Sequence, residues 1–144
     1  MQFTDLLTEV LVTALGSLAF GIVYKVKRNL LPAVAAGGGI GWMIYRLLFL
    51  AMENIFLSNM GATLFATVYS EMLARKKKAP VVVFLLPCLI PLVPGGGLYY
   101  AMSWMVRRDV QQAMSYLGKA CEAALGIAAG ILLVSVIIHR NRTA

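Results

Sequence analysis

The sequence predicts an all-α integral membrane protein with about five transmembrane helices, the fourth of which is broken by a Pro/Gly segment. Of its 144 residues, 60% are hydrophobic and only 13% are charged, and the mean hydropathy is +0.81. A soluble domain usually carries about 25% charged residues, so there are too few here to cover a water-facing surface. Because a spanning helix needs ~20 mostly apolar residues, the length allows about five spans and no separate catalytic domain.

Five apolar segments follow one another along the chain, separated by short polar links. The first ends at a basic loop, the second contains a glycine cluster and Arg46, and the third is followed by the strongest basic run of the chain. The fifth ends in a basic tail. We expect a single transmembrane domain, residues 1–144, with spans at about residues 3–24, 30–51, 55–74, 80–105 and 113–138.

The fourth segment cannot form an unbroken helix. It is apolar enough to lie in a membrane, but it contains prolines at 87, 91 and 94 and glycines at 95, 96 and 97. Each proline removes a backbone donor, clashes with the preceding turn and pushes the residue before it towards an extended conformation. We therefore expect a half-helix, an extended stretch over about residues 87–97, and a second half-helix from near Leu98.

The basic residues predict the orientation. With five crossings, the loops at 25–28 and 75–78 and the C-terminal tail fall on one side and hold nine of the 13 Lys and Arg residues. Cytoplasmic loops of membrane proteins carry such an excess. The bias predicts a multi-pass protein of the plasma (inner) membrane, with its N-terminus outside and its C-terminus in the cytoplasm.

Three spans carry polar or small residues at helical spacing, which places each set on one face of its helix. Lipid disfavours such faces, so we expect them to meet other helices or a wet cavity. Packing explains the Thr, Ser and Gly members, but whether Glu71, Lys119 and Glu122 are structural or functional stays open. The sets are Asp5, Glu9, Thr13 and Ser17; Asn59, Thr63, Thr67 and Glu71; and Ser115, Lys119, Glu122, Gly126 and Gly130.

The broken segment is the candidate binding site. Non-helical backbone at membrane depth persists only where it is buried in protein or lines a cavity. The second half-helix directs free N–H groups and the positive end of its dipole at the break, which suits a substrate carboxylate, and the glycines allow close approach. The alternative is a proline-kinked helix without a ligand. The predicted substrate-binding residues are Pro91, Pro94, Gly95, Gly96, Gly97, Tyr99 and, from the second span, Arg46.

The residues that several other functions need are missing from the sequence. No basic face with interleaved aromatic residues exists, so we expect no nucleic-acid partner. Cys88 and Cys121 lie in apolar segments without metal-ligand spacing or a neighbouring histidine, which argues against a disulfide framework, a zinc site and a Cys–His nucleophile. We expect no catalytic residue, metal or cofactor, and a protein that is not an enzyme.

The most specific motif is Pro-Leu-Val-Pro-Gly at residues 91–95, with Tyr99 four residues further on. Together with a few flanking residues it resembles the threonine/serine exporter family, in its short single-domain form, over nearly the whole chain. Cys88 departs from the family pattern, which has Gly after Pro87, and this bears on the local backbone. The flanking residues are Trp42, Tyr45-Arg46, Ala74-Arg75, Ala79-Pro80 and Pro87.

The resemblance implies a secondary transporter that exports small carboxylates: threonine and serine or, in split members, dicarboxylates such as succinate. Split members pair a small subunit like this chain with a larger one, in which five spans follow a cytoplasmic domain. A five-span unit with its N-terminus outside is the inverse of that partner, so the two would form an inverted-repeat transporter. The expected partners are the larger membrane subunit or further copies of this chain, a small carboxylate and membrane lipid.

Other functions stay open at this point. The chain is a non-transporting assembly subunit if the break serves packing alone. It is a channel-forming homo-oligomer if it acts without a larger partner. A membrane enzyme is the weakest alternative, because no catalytic constellation is visible.

Overall fold

The computed structural model describes residues 3–143, without the side chains at positions 3, 4, 139 and 141–143. Within that range all regular structure is helical, which confirms the all-α prediction. The α-helices are α1 (Phe3–Val23), α2 (Leu31–Met52), α3 (Ile55–Lys77), α4 (Val82–Leu89), α5 (Gly95–Val106) and α6 (Val110–Thr143). Of two short 3-10 turns, Arg28–Leu30 leads into α2 and Ile90–Leu92 continues α4.

Helices α1 and α2 pack antiparallel through small residues. Gly38 of α2 faces Ser17 of α1, and a Cβ at Gly38 would collide with that serine side chain. One residue further, a Cβ at Gly39 would lie 3.2 Å from the Ala14 Cβ. The glycine cluster of the second span therefore lets the two helix backbones approach closely.

Helix α3 lies at the centre of the bundle, where it contacts α2, α4 and α6. Asn59 donates to the carbonyl oxygen of Ile55 at 2.9 Å, and Thr67 donates to that of Thr63 at 2.8 Å. Neighbouring helices thus cover most of the polar face predicted for the third span. The buried residues of α3 are all small or polar: Ser58, Asn59, Ala62, Thr63, Ala66, Thr67, Ser70 and Ala74.

Helices α3 and α6 run parallel and in close contact. Gly126 packs on Phe56 and Asn59, and Gly130 packs one turn further along on Thr63. A Cβ at Gly126 would collide with the carbonyl oxygen of Phe56. The predicted GxxxG pair is therefore a packing motif. Because α3 and α6 are parallel, the chain must return across the bundle between them, and it does so through α4 and α5.

The predicted count of five spans is not reached. By length and apolarity, three helical segments of residues 3–143 are candidate spans: Asp5–Val23, Arg28–Met52 and Val110–Ile138. The bent pair Val82–Leu92 and Gly95–Val106 adds a fourth if it counts as one span. Helix α3 is not among them because its polar residues lower its hydropathy. Its central position shields those residues from lipid.

Helix α5 packs mainly against the beginning of α6. Only Ala101 of this helix is buried, whereas Tyr99 is 68% exposed and Val106 is 84% exposed. Leu98, Met102 and Met105 are exposed as well. The hairpin of α5 and α6 therefore presents an apolar surface that the rest of the described chain does not cover.

Candidate functional site

The chain breaks between α4 and α5 over only two residues, Val93 and Pro94. Helix α4 continues through Pro87 into the 3-10 turn Ile90–Leu92, and α5 already begins at Gly95. The two halves are bent by 49°. The extended stretch predicted over residues 87–97 is therefore wrong in extent. Pro87 costs α4 one hydrogen bond, and Pro91 occupies the first turn of its segment, where no intrahelical donor is needed.

The three glycines after the break form the first turn of α5 in ordinary helical conformation, and none has a positive φ. A Cβ at Gly97 would lie 3.5 Å from the Ala120 Cβ of α6, whereas Gly95 and Gly96 face open space within this chain. The first turn of a helix leaves N–H groups without intrahelical partners. The N–H of Leu98 bonds to the Pro94 oxygen at 3.1 Å. The N–H of Gly95 bonds to the Val93 oxygen at 2.7 Å, so the N–H groups of Gly96 and Gly97 are the donors of this turn that remain at the break.

A cavity of about 220 Å³ lies at the break and is lined by residues of α2, α3, α6 and the break itself. The break contributes the chain from Pro91 to Pro94, and α5 adds Gly97. The other helices contribute Trp42 and Tyr45 from α2, Asn59 from α3, and Lys119 and two alanines from α6. None of the described residues that line this cavity is acidic, so its only formal charge is the positive charge of Lys119.

The structure brings together only part of the predicted site. Pro91, Pro94 and Gly97 line the cavity. Gly95, Gly96 and Tyr99 lie just beyond it on the exposed side of α5, where the Tyr99 ring packs edge-on against Tyr100 with centroids 5.5 Å apart. Arg46 does not line the cavity either.

Asn59 and Lys119 border the cavity although the sequence did not assign them to the site. Asn59 is 2% exposed, and its bond to the Ile55 oxygen holds its amide in place. The Lys119 ammonium lies 5.7 Å from the centre of the Tyr116 ring, which favours a cation over its face. Both residues belong to the sets of polar residues at helical spacing in the third and fifth spans, and that spacing was the sequence feature that could have identified them.

Arg46 is held by an ion pair instead of facing the cavity. Its Nε lies 2.8 Å from Oε2 of Glu9. The same oxygen accepts a hydrogen bond from Nε1 of Trp42 at 3.1 Å. Trp42 also separates the cavity at the break from a wider one of about 470 Å³, which Asp5, Glu9 and Thr13 help to line. Arg46 is therefore linked to the site through Glu9 and Trp42.

The remaining charged residues of the spans do not join the site. Glu71 lies 3.5 Å from Arg75, one turn along the same helix. Glu122 is exposed on α6 and forms no ion pair with Lys119. The described residues contain no group of three His, Cys, Asp or Glu side chains that could hold a metal ion. The arrangement offers a cation, an amide and a helix N-terminus, which together suit an anion.

Comparison with known proteins adds one match. The family model described as Threonine/Serine exporter, ThrE matches residues 9–137 of this chain. That range includes the break and every residue that lines the cavity beside it. No protein of curated function and no solved structure matches the chain at a significant level.

Proposed function

This chain belongs to the threonine/serine exporter family and is a multi-pass membrane protein, and we propose that it is the small subunit of a two-component secondary exporter of small carboxylates. The observation that supports this proposal most is the cavity at the break. It combines a lysine, a buried amide and the N-terminus of α5 without any lining acid. Threonine, serine and dicarboxylates such as succinate share the carboxylate that such a site would bind.

In the proposed site, Lys119 forms an ion pair with the substrate carboxylate. The remaining N–H groups in the first turn of α5 donate to the same anion, since the positive end of the helix dipole lies at the break. The amide of Asn59 offers a further hydrogen bond, and the rings of Trp42 and Tyr45 form an apolar wall. An amino-acid ammonium group would be favoured over the face of either ring.

The open side of α5 completes the proposed substrate path. Gly95, Gly96 and Tyr99 lie beside the cavity but face away from this chain. We assign them to the part of the path that a second subunit covers, with Pro91, Pro94 and Gly97 on the inner side. Arg46 supports the path indirectly, because Glu9 connects it to Trp42.

Exposed groups on α5 and α6 support the need for a partner. Glu122 is exposed within the candidate span Val110–Ile138, where contact with lipid would be costly. The apolar side chains of α5 are exposed as well. A larger subunit with five spans of opposite orientation would cover both, which gives the inverted pair of an alternating-access transporter. This arrangement requires α3 to cross the membrane, and its parallel packing with α6 supports that.

Reconstituted transport tests the proposal. Proteoliposomes that contain this chain, the larger subunit or both are loaded with labelled threonine, serine or succinate, and efflux is measured per inserted protein. We expect efflux of at least one of these substrates only when both subunits are present. Efflux with this chain alone would favour the homo-oligomer. If the pair exports none of the three substrates, or if the larger subunit alone exports as much as the pair, the transport role is wrong.

A further inference from the structure

A third cavity, of about 300 Å³, lies at the end of the bundle where α1 ends and α2 begins. The loop between α1 and α2 forms one wall, and the link from α3 to α4 forms the other. It has no lining residue in common with the cavity at the break. We refer to this one as the basic cavity. Nothing in the proposed transport function uses it.

Four lysines surround the basic cavity: Lys25 and Lys27 from the first wall, and Lys77 and Lys78 from the second. All four are exposed, so their ammonium groups are accessible. None of the described residues that line the cavity is acidic, and Glu71, one turn and a half away on α3, lies beside Arg75 instead. Like charges gathered around one cavity repel one another, and an anion between them would replace that repulsion with attraction.

The floor of the basic cavity is apolar. Val26 and Leu30 are buried, and Phe84 is completely buried. A small hydrated anion gains nothing from such a floor, whereas the glycerol and first methylene groups of a phospholipid gain by leaving water. The combination of a charged rim and an apolar floor therefore favours an amphipathic ligand over a free anion.

The lysines also lie at the depth of a lipid headgroup. The candidate span Asp5–Val23 ends two residues before Lys25, and the candidate span Arg28–Met52 begins directly after Lys27. Anionic headgroups at this level attract basic residues, and basic pockets between transmembrane helices bind them. The basic cavity thus opens where the phosphate layer of one leaflet begins.

We propose that the basic cavity binds one anionic phospholipid, with its phosphate among the four lysines and its glycerol on the floor formed by Val26, Leu30 and Phe84. The lipid bridges the α1–α2 loop and the α3–α4 link. Binding therefore stabilises the end of the bundle from which α4 enters. This site is independent of the transport proposal, and either can fail without the other.

The test compares the purified chain in nanodiscs of phosphatidylcholine alone and in nanodiscs that also contain phosphatidylglycerol. Retained lipid is counted by native mass spectrometry, and thermal unfolding is followed in parallel. We expect the protein to retain phosphatidylglycerol selectively and to unfold at a higher temperature in its presence. Lys25→Gln combined with Lys78→Gln lowers that selectivity about fivefold or more, as expected for the loss of direct headgroup contacts.

The matched control combines Arg28→Gln with Lys76→Gln. Arg28 belongs to the same loop as Lys25, and Lys76 to the same basic run as Lys78, but neither lines the cavity. The two substitutions remove the same charge as the test pair. We expect the control to keep its selectivity within about twofold. Lys27→Gln with Lys77→Gln serves as the second test pair if the first alters the helix content. Equal losses in test and control variants, or equal stabilisation by inorganic phosphate added to phosphatidylcholine nanodiscs, would overturn the assignment of a lipid site.

Discussion

The guanidinium Nε of Arg46 lies 2.8 Å from Oε2 of Glu9, and this ion pair joins α2 to α1. Both side chains are partly exposed. The same carboxylate oxygen also holds Nε1 of Trp42, whose ring lines the cavity at the break. Glu9 thus couples the charge within the second span to a wall of the proposed substrate site, and the effect of changing Arg46 depends on Glu9.

We predict that Arg46→Gln lowers export and that adding Glu9→Gln restores most of it. The single change leaves the Glu9 carboxylate without its cation and loosens Trp42, at a cost of about 1 kcal/mol, or roughly fivefold in transport. The double change leaves no unpaired charge. Transport per inserted molecule is measured for both single variants and the double variant. If Arg46 contacts the substrate itself, the double variant will transport no better than Arg46→Gln.

Lys119→Gln is predicted to weaken substrate binding. Loss of a hydrogen bond to a charged group costs about 1.5–3 kcal/mol, so KM should rise by roughly one to two orders of magnitude. Lys119→Arg should keep most of the affinity because it keeps the charge. Glu122→Gln is the control, since it lies on the same helix but does not line the cavity. An unchanged KM for Lys119→Gln would remove this residue from the site.

Gly96→Val is predicted to reduce transport without reducing the stability of this chain. A Cβ at Gly96 meets no atom within 4 Å, so we expect normal membrane insertion and thermal stability. Export should still fall, because the branched side chain narrows the open side of α5. Leu132→Ala is the comparison, since Leu132 is exposed on α6 far from the break. Should both variants export equally well, the break is only a packing feature.

A pair of glycine substitutions on α6 tests the contact with α3. Gly126→Ala places a Cβ against the Phe56 carbonyl oxygen, so we expect the free energy of unfolding to fall by about 1–3 kcal/mol. Gly118→Ala meets no atom within 4 Å and should raise it by about 0.5–1 kcal/mol, as alanine does in a helix. Thermal unfolding of the purified protein measures both. Equal effects of the two substitutions would contradict the close parallel packing.

The orientation predicts which cysteine probes react from which side of the membrane. The loops at 25–28 and 75–78 line the same basic cavity and so lie at one end of the bundle. We expect single cysteines at Lys27 and Lys76 to react from the cytoplasm and one at Arg107 from outside. Cys121 is exposed and is first replaced by Ser, whereas buried Cys88 can stay. Labelling of positions 27 and 107 from the same side would rule out five crossings.

Local chemistry made part of the site predictable. The prolines act within one turn of themselves, so the sequence located the break at Pro91 and Pro94. It overestimated the extent of the break, because α4 continues through Pro87 with the loss of one hydrogen bond, and Pro91 lies in the first turn of its segment, where no donor is needed. The contribution of Lys119 and Asn59 was not predicted. Each belongs to a set of polar residues spaced as on a buried helix face. The sequence of either helix alone does not show that these two faces meet at the break.

By itself the sequence determined that this protein is helical and lies in a membrane, because an apolar chain in lipid must satisfy its backbone groups within its own helices. Only the tertiary structure decided that α3 lies at the centre. Its hydropathy falls short of a span, and burial of its polar residues depends on the helices around it. The partner of Arg46 was decided in the same way. Glu9 belongs to a different helix, and only packing of α1 against α2 brings the two charges together.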